Sequence, residues 1–260
     1  KRKYGNSSVV QTIWLYDDID RIDFETDVDC CEKHKMLKTA FDVDVHSARA
    51  TYEIQYGNIE RPTHKNTSWD RAKFEVCGQR FADLSEGNYG VTLLNDCKYG
   101  YDIHDGLMTL SLLRSPTYPD PDADQGIHHF TYAVHAHTGA LNLPEVYTHA
   151  YDLNNPMTAV AVGGEKDAVP TEFALVECDK PNVLCEVIKE AEDSEDLIFR
   201  FFECSNSKTA ATLRFGFDVE KVVLCDLNEN SLKALSIENG TVLLSFGAFE
   251  IQTVKVTMKR

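Results

Sequence analysis

The chain has 260 residues, 43% of them hydrophobic, and carries 42 Asp and Glu against 26 Lys and Arg, a net charge of −16. Such a length can bury one large core or two smaller ones, while the acidic surface repels phosphate backbones and anionic lipid and so argues against nucleic-acid and membrane-surface binding. The eight cysteines include no C-x-x-C pair, which removes a thiolate zinc ribbon or dithiol redox site, and no apolar run is long enough to span a bilayer.

The sequence opens on Lys1-Arg2-Lys3 without an initiating Met and reads as the interior of a longer protein. From there, period-two alternation dominates. Arg21 to Asp29 places Ile22, Phe24 and Val28 on one face and Arg21, Asp23, Glu25, Asp27 and Asp29 on the other. That is the pattern of a strand with one face in water. Comparable runs cover Thr51–Tyr56, Leu107–Leu113, Phe130–Val134, Leu197–Phe202, Val222–Leu227 and Ile251–Met258. Turn signals separate them at Tyr56-Gly57-Asn58, Glu86-Gly87-Asn88, Asp105-Gly106 and Glu238-Asn239-Gly240.

Three blocks interrupt the alternation. Ile59 to Asp70 packs charge, amides and Trp69 into a segment without strand periodicity. An apolar strand then delivers Asn95, Asp96, Lys98, Tyr99 and Tyr101 into a loop, and Leu112-Leu113-Arg114-Ser115-Pro116 ends another strand in a cation and a turn. Side chains at strand ends are held rigidly enough to meet a ligand, and planar polar groups mixed with aromatics suit a sugar. Loops tied down by their own hydrogen bonds are the competing reading.

Asp120 to Gly126 imitates the start of a calcium loop, but Thr131 stands where a bidentate glutamate belongs, so a solvated acidic turn is expected. In a strand from His129 to His137, alternate residues put His135 and His137 on one face. Histidines at i,i+2 without a nearby carboxylate fall short of the three or four ligands a metal needs, and an exposed polar face is expected instead. Gly163-Gly164-Glu165-Lys166-Asp167 marks a boundary, with residues 1–168 forming a large sheet assembly and 169–260 a smaller sandwich. Glu186–Ser194 is the best helix candidate, equally readable as a strand and a solvated turn. Cys185 and Cys225 sit in apolar runs, as reduced structural thiols do. Neither a Gly-x-Ser-x-Gly elbow nor a glycine-rich phosphate loop occurs, so no segment announces a self-contained catalytic centre.

RATYEIQYGNIERPTHKNTSWDRAKFEVCGQRFADLSEGNYGVTLLNDCKYGYD, from Arg49 to Asp102, and LSLLRSPTYPDPDADQG, from Leu110 to Gly126, resemble glycoside hydrolase family 38 α-mannosidases of the bacterial and cytosolic type. Ile22–Phe41, Tyr151–Pro156 and Phe246–Thr253 fit the same family, whereas Cys30-Cys31 departs from the tryptophan and histidine usual there. The resemblance implies an all-β fold: a large antiparallel galactose-mutarotase-like super-sandwich followed by a smaller C-terminal β-sandwich. It implies the C-terminal portion of a cytoplasmic, retaining exo-α-mannosidase that removes terminal α-mannose from mannose-containing oligosaccharides. In that family the nucleophile, the acid and the zinc ligands precede the β region. No catalytic or metal-ligating residue is therefore expected here, zinc belongs to the full-length enzyme, and this fragment alone is expected to be inactive. The partner it requires is the N-terminal catalytic domain, which should dock on an exposed apolar patch; a homo-oligomer stays open.

By the same resemblance, Arg114 looks like the strand-end arginine that reaches the bound sugar, with Asp96, Lys98 and Tyr99 lining the same cleft and Arg61 and His64 supporting the interface. A salt bridge from Arg114 to Asp120 or Asp122 is the structural alternative. Two other readings are a stand-alone carbohydrate-binding module and an epimerase of free sugars, because fold likeness does not settle function.

Overall fold

The computed structural model describes residues 1–161, 163 and 172–259. They fall into two compact units, Lys1–Met157 and Thr158–Arg260. The boundary expected at residue 168 lies outside the described residues.

The first unit contains strands β1 (Arg2–Tyr4), β2 (Ser7–Leu15), β3 (Ile22–Cys30), β4 (Leu37–Asp42), β5 (Arg49–Ile54) and β6 (Gly57–Pro62). A short helix α1 (Ser68–Arg71) follows, then β7 (Val76–Cys77), β8 (Phe81–Ser85), β9 (Tyr89–Asn95), β10 (Gly100–His104), β11 (Leu107–Leu113), β12 (Gly126–Thr138) and helix α2 (Leu143–Asn154). An eight-stranded antiparallel sheet runs β1-β2-β3-β12-β9-β8-β5-β6, and a four-stranded sheet runs β4-β11-β10-β7. Both supply one core, in which Val28, Tyr52, Leu93, Phe130 and Tyr132 of the larger sheet meet Tyr101, Ile103, Met108 and Leu110 of the smaller. The β10–β11 hairpin turns on Asp105 and Gly106, both at positive φ, as a two-residue loop matched to strand twist requires. A Cβ on Gly106 would lie 2.6 Å from the Val43 carbonyl, so glycine alone fits.

The other face of the eight-stranded sheet is partly covered by α2. Val146, Tyr147 and Ala150 of this helix are buried, the Tyr147 ring meets Phe81 edge-on at 5.1 Å, and its hydroxyl donates to the Gly57 carbonyl at 2.8 Å. This cover overturns the expected exposed histidine face: His135 and His137 are both buried. It also explains why Arg21 and Asp23, expected in water, form a buried pair at 2.6 Å. Ile59 to Pro62, read as lacking strand periodicity, lie in β6 and pair with β5.

The second unit comprises β13 (Val176–Cys178), β14 (Val183–Glu190), β15 (Leu197–Glu203), β16 (Thr209–Phe215), β17 (Val219–Cys225), β18 (Ser231–Leu235), β19 (Thr241–Phe246) and β20 (Ile251–Met258). Sheets β13-β16-β19 and β14-β15-β20-β17-β18 enclose a core of Phe199, Phe201, Leu213, Leu244, Val254 and Val256. Of Glu186–Ser194, the best helix candidate and equally readable as a strand and a turn, residues 186–190 are strand, with a register shift between Cys185 and Val187 where the chain bulges. Asn239 and Gly240, both at positive φ, make the turn into β19. All eight cysteines are free thiols.

Candidate functional site at the loop end of the larger unit

Register places three connections at one end of the first unit. Cys30 pairs with Gly126 and Leu37 with Leu113, so the β3–β4 and β11–β12 connections start and finish side by side. Asn95 pairs with Tyr132 and Tyr101 with Leu110, which brings the β9–β10 connection to the same end. Hydrogen bonds fasten the first two together: the Lys33 ammonium reaches the Pro121 carbonyl and Asp122 carboxylate at 2.8 and 2.7 Å, His34 N–H donates to the Ser115 carbonyl, and Gln125 donates to the Glu32 carbonyl.

Arg114 sits on the β11–β12 connection. Both its N–H and that of Ser115 donate to the Asp124 carboxylate at 2.9 Å. These two bonds hold the Asp124 carboxyl below the usual carboxylate range. The backbone is thus fixed while the Arg114 side chain is exposed, with no hydrogen-bond or ion-pair partner among the described residues. Asp120 and Asp122 do not take it: Asp122 pairs with Lys33, and Asp120 accepts the Asp122 N–H. The Arg114 charge acts instead on Glu75. Burial pushes the Glu75 carboxyl up, but hydrogen bonds from Lys38 and Ser111, followed by the charges of Lys38 and Arg114, bring it below its ordinary value.

The β9–β10 connection is built around Asn95, whose side-chain oxygen accepts the N–H groups of Cys97 and Lys98, an Asx turn. Asp96 exchanges two bonds with Thr131, accepting its N–H at 2.8 Å and donating to its carbonyl at 3.1 Å. Lys98 lies over the Phe130 ring at 4.4 Å and contributes to the low pKa of Asp124. Tyr99 is 59% exposed and held only through its backbone carbonyl, which accepts the Gly78 N–H. Partial burial of the thiol, then a hydrogen bond to Asp96, push the Cys97 pKa up to about 11.

Of the four residues singled out in the sequence, Arg114, Lys98 and Asp96 therefore share this end, and Asp96 serves as a turn lock. Tyr99 joins them on the surface. A cleft of about 470 Å³ is lined by Leu113, Ser115, Met36, Cys30 and Val9; Arg114, between two of these in sequence, is not among its lining residues, nor are Asp96, Lys98 and Tyr99. Asp124, Glu75 and Lys38 escaped sequence reasoning; for Asp124 the signal was the acidic run, dismissed as solvated. Arg61 and His64 lie elsewhere. Arg61 stacks over Tyr52 at 5.1 Å, and His64 is 3.8 Å from Asp70.

Residues 1–122 match the glycosyl hydrolases family 38 C-terminal domain, and residues 182–254 match the glycosyl hydrolases family 38 C-terminal beta sandwich domain. Alpha-mannosidase 2C1 of Homo sapiens is 38% identical over 259 residues, covering 98% of this chain and 25% of that protein. Alpha-mannosidase G of Dictyostelium discoideum is 39% identical over 259 residues, covering 96% and 24%. The crystal structure of an alpha-mannosidase from Enterococcus faecalis V583 superposes with a TM-score of 0.81 at 19% identity, over 96% of this chain and 29% of that one. The chain thus spans about a quarter of the length of the curated relatives it matches.

Proposed function

The chain belongs to glycosyl hydrolase family 38, and from that premise we propose that it is the C-terminal portion of a retaining exo-α-mannosidase, where it supplies part of the rim of a cleft whose catalytic groups lie in an N-terminal region. The observation that carries this reading is Arg114: a free guanidinium on a backbone fixed by Asp124, at the end where three connections converge. A guanidinium offers five N–H donors in a planar fork, well suited to adjacent sugar hydroxyls. Tyr99, with most of its ring exposed, adds a face on which a pyranose can stack. Lys98 is committed to Phe130 and Asp124 and supports the loop more than the sugar.

The carboxylates at this end do not suit a nucleophile. Both Asp96 and Asp124 accept backbone N–H bonds that hold loops closed. Retention needs two carboxyl groups about 5 Å apart across the scissile bond, and neither is free for that work. Among the described residues, this end also gathers no three His, Cys, Asp or Glu ligands close enough to share a cation. The zinc that the family resemblance implies does not fit here.

Ile13, Trp14, Leu15 and Tyr16 are exposed together at the end of β2, an apolar stretch suited to burial against the rest of the enzyme. Free thiols throughout are consistent with a cytoplasmic setting, and no described helix is long and apolar enough to cross a membrane. The test is hydrolysis of an aryl α-mannoside: none is expected from these 260 residues alone, and turnover is expected from the enzyme that contains them. Turnover by the chain alone would overturn the proposal. Tight mannose binding without turnover in either form would favour the stand-alone binding module.

A further inference from the structure

On the helix-covered face of the eight-stranded sheet, away from Arg114, three side chains converge that no part of the α-mannosidase reading uses. His135 is on β12, while Glu145 and His149 stand four residues apart on α2 and therefore on one helix face. We propose that His135, Glu145 and His149 form a divalent-metal site, suited to Zn²⁺, that clamps α2 to the sheet.

His135 is 1% exposed. Its Nδ1 lies 2.6 Å from the Asp20 carbonyl; a carbonyl only accepts, so Nδ1 carries the proton and Nε2 presents a bare lone pair. A backbone carbonyl behind the ring is the usual outer support of a metal-binding histidine. That Nε2 is buried without a hydrogen-bond partner and faces Glu145 Oε1 at 3.8 Å, too far for a hydrogen bond. The His149 ring lies 4.3 Å from that of His135, and its Nδ1 is also buried and unpartnered. Two unpartnered ring nitrogens beside one carboxylate make an unfavourable arrangement for a closed core and a fitting one for a cation.

Donor chemistry agrees. Two imidazoles and a carboxylate, with a fourth position left for water, form an established zinc ligand set. The three ligand atoms lie within 4.8 Å of one another; tetrahedral zinc asks for donors about 3.4 Å apart, a contraction that the exposed Glu145 chain can absorb. Its other oxygen, Oε2, accepts from Asn142 at 3.0 Å and is steered from outside. The nearby Arg21 charge is neutralised by a two-point contact with Asp23. His137, the other histidine on this face, is not a ligand, because its Nε2 is 3.0 Å from Asp83.

The experiment titrates the 260-residue chain with Zn²⁺ by calorimetry and with Co²⁺ by visible absorption, in a background where the exposed Cys31, Cys77 and Cys97 are changed to serine. One equivalent should bind, the Co²⁺ spectrum should lack a thiolate charge-transfer band, and Zn²⁺ should raise the thermal midpoint. Glu145→Ala alters a surface side chain and should fold normally. It and His149→Gln should each weaken binding at least about ten-fold, and Zn²⁺ should no longer raise the midpoint of either. Absence of binding, a thiolate band, or an affinity in both variants equal to that of the parent would overturn the proposal.

Discussion

The two units differ in how completely their buried polar groups are paired. In the smaller one, Glu203 is fully buried yet completely engaged: its two oxygens accept Asn182 Nδ2 and the N–H groups of Ser205, Ser207 and Phe249. In the larger one, Arg61, Asp96, His135, His137 and His149 each keep a buried side-chain atom without a partner. Among the described residues, every such atom belongs to the larger unit. Satisfied networks rigidify, whereas unsatisfied groups cost stability and tend to mark places where a ligand or partner completes the structure. The unpartnered atoms of the larger unit include those of the proposed cation site, His135 and His149.

The largest effect should come from breaking the satisfied network. Glu203→Ala takes the buried acceptor from four partly buried donors and should cost about 3–5 kcal/mol. Both tryptophans, Trp14 and Trp69, are in the larger unit. Urea unfolding followed by far-UV circular dichroism should therefore shift strongly, and tryptophan fluorescence much less; equal shifts would dissolve the distinction between the units. Asp83→Asn comes next. Asp83 is buried and accepts from Thr92 at 2.7 Å, His137 at 3.0 Å and Ser85, so its neutralisation should cost about 2 kcal/mol, read chiefly in fluorescence.

The His137–Asp83 pair also predicts a pH dependence. A hydrogen bond to Asp83, opposed by burial and aided by its charge, raises the His137 pKa above 6.5. Protonated His137 therefore favours the folded state. That contribution is complete below about pH 6.5, the unfolded value, and is lost as pH rises through the higher folded value. The stability gap between the parent chain and His137→Gln should shrink as pH increases, and a gap that widens would reverse the assignment. The smallest effect belongs to the exposed pair Arg49–Glu60, 2.7 Å apart with both side chains more than half exposed. Arg49→Ala should change stability by less than about 1 kcal/mol.

Strands were the legible part of the sequence. Leu107–Leu113 and Ile251–Met258 were read to their end residues, and Asp105-Gly106 and Asn239-Gly240 identified their turns, because alternation and positive-φ chemistry are local. Helix α2 was not seen. Its buried residues Val146, Tyr147 and Ala150 span little more than a turn, and β-branched Val146 and Thr148 weaken the helical signal. That omission hid the histidine face as well: the carboxylate facing His135 sits ten residues later on another element, a pairing no spacing motif encodes. Asp124 was misjudged for a related reason. A failed calcium motif says nothing about which backbone N–H groups a carboxylate closes on, and these depend on the return of β12.

The most direct test compares one exposed arginine from each unit in the enzyme that contains this chain: Arg114→Ala against Arg214→Ala, assayed on an oligosaccharide with terminal α-mannose. Arg114→Ala should lower kcat/KM about ten-fold or more, as loss of charged hydrogen bonds to sugar does, with an unchanged thermal midpoint, while Arg214→Ala should leave both as they were. Equal kinetics for the two variants would contradict the placing of the sugar-facing rim at Arg114.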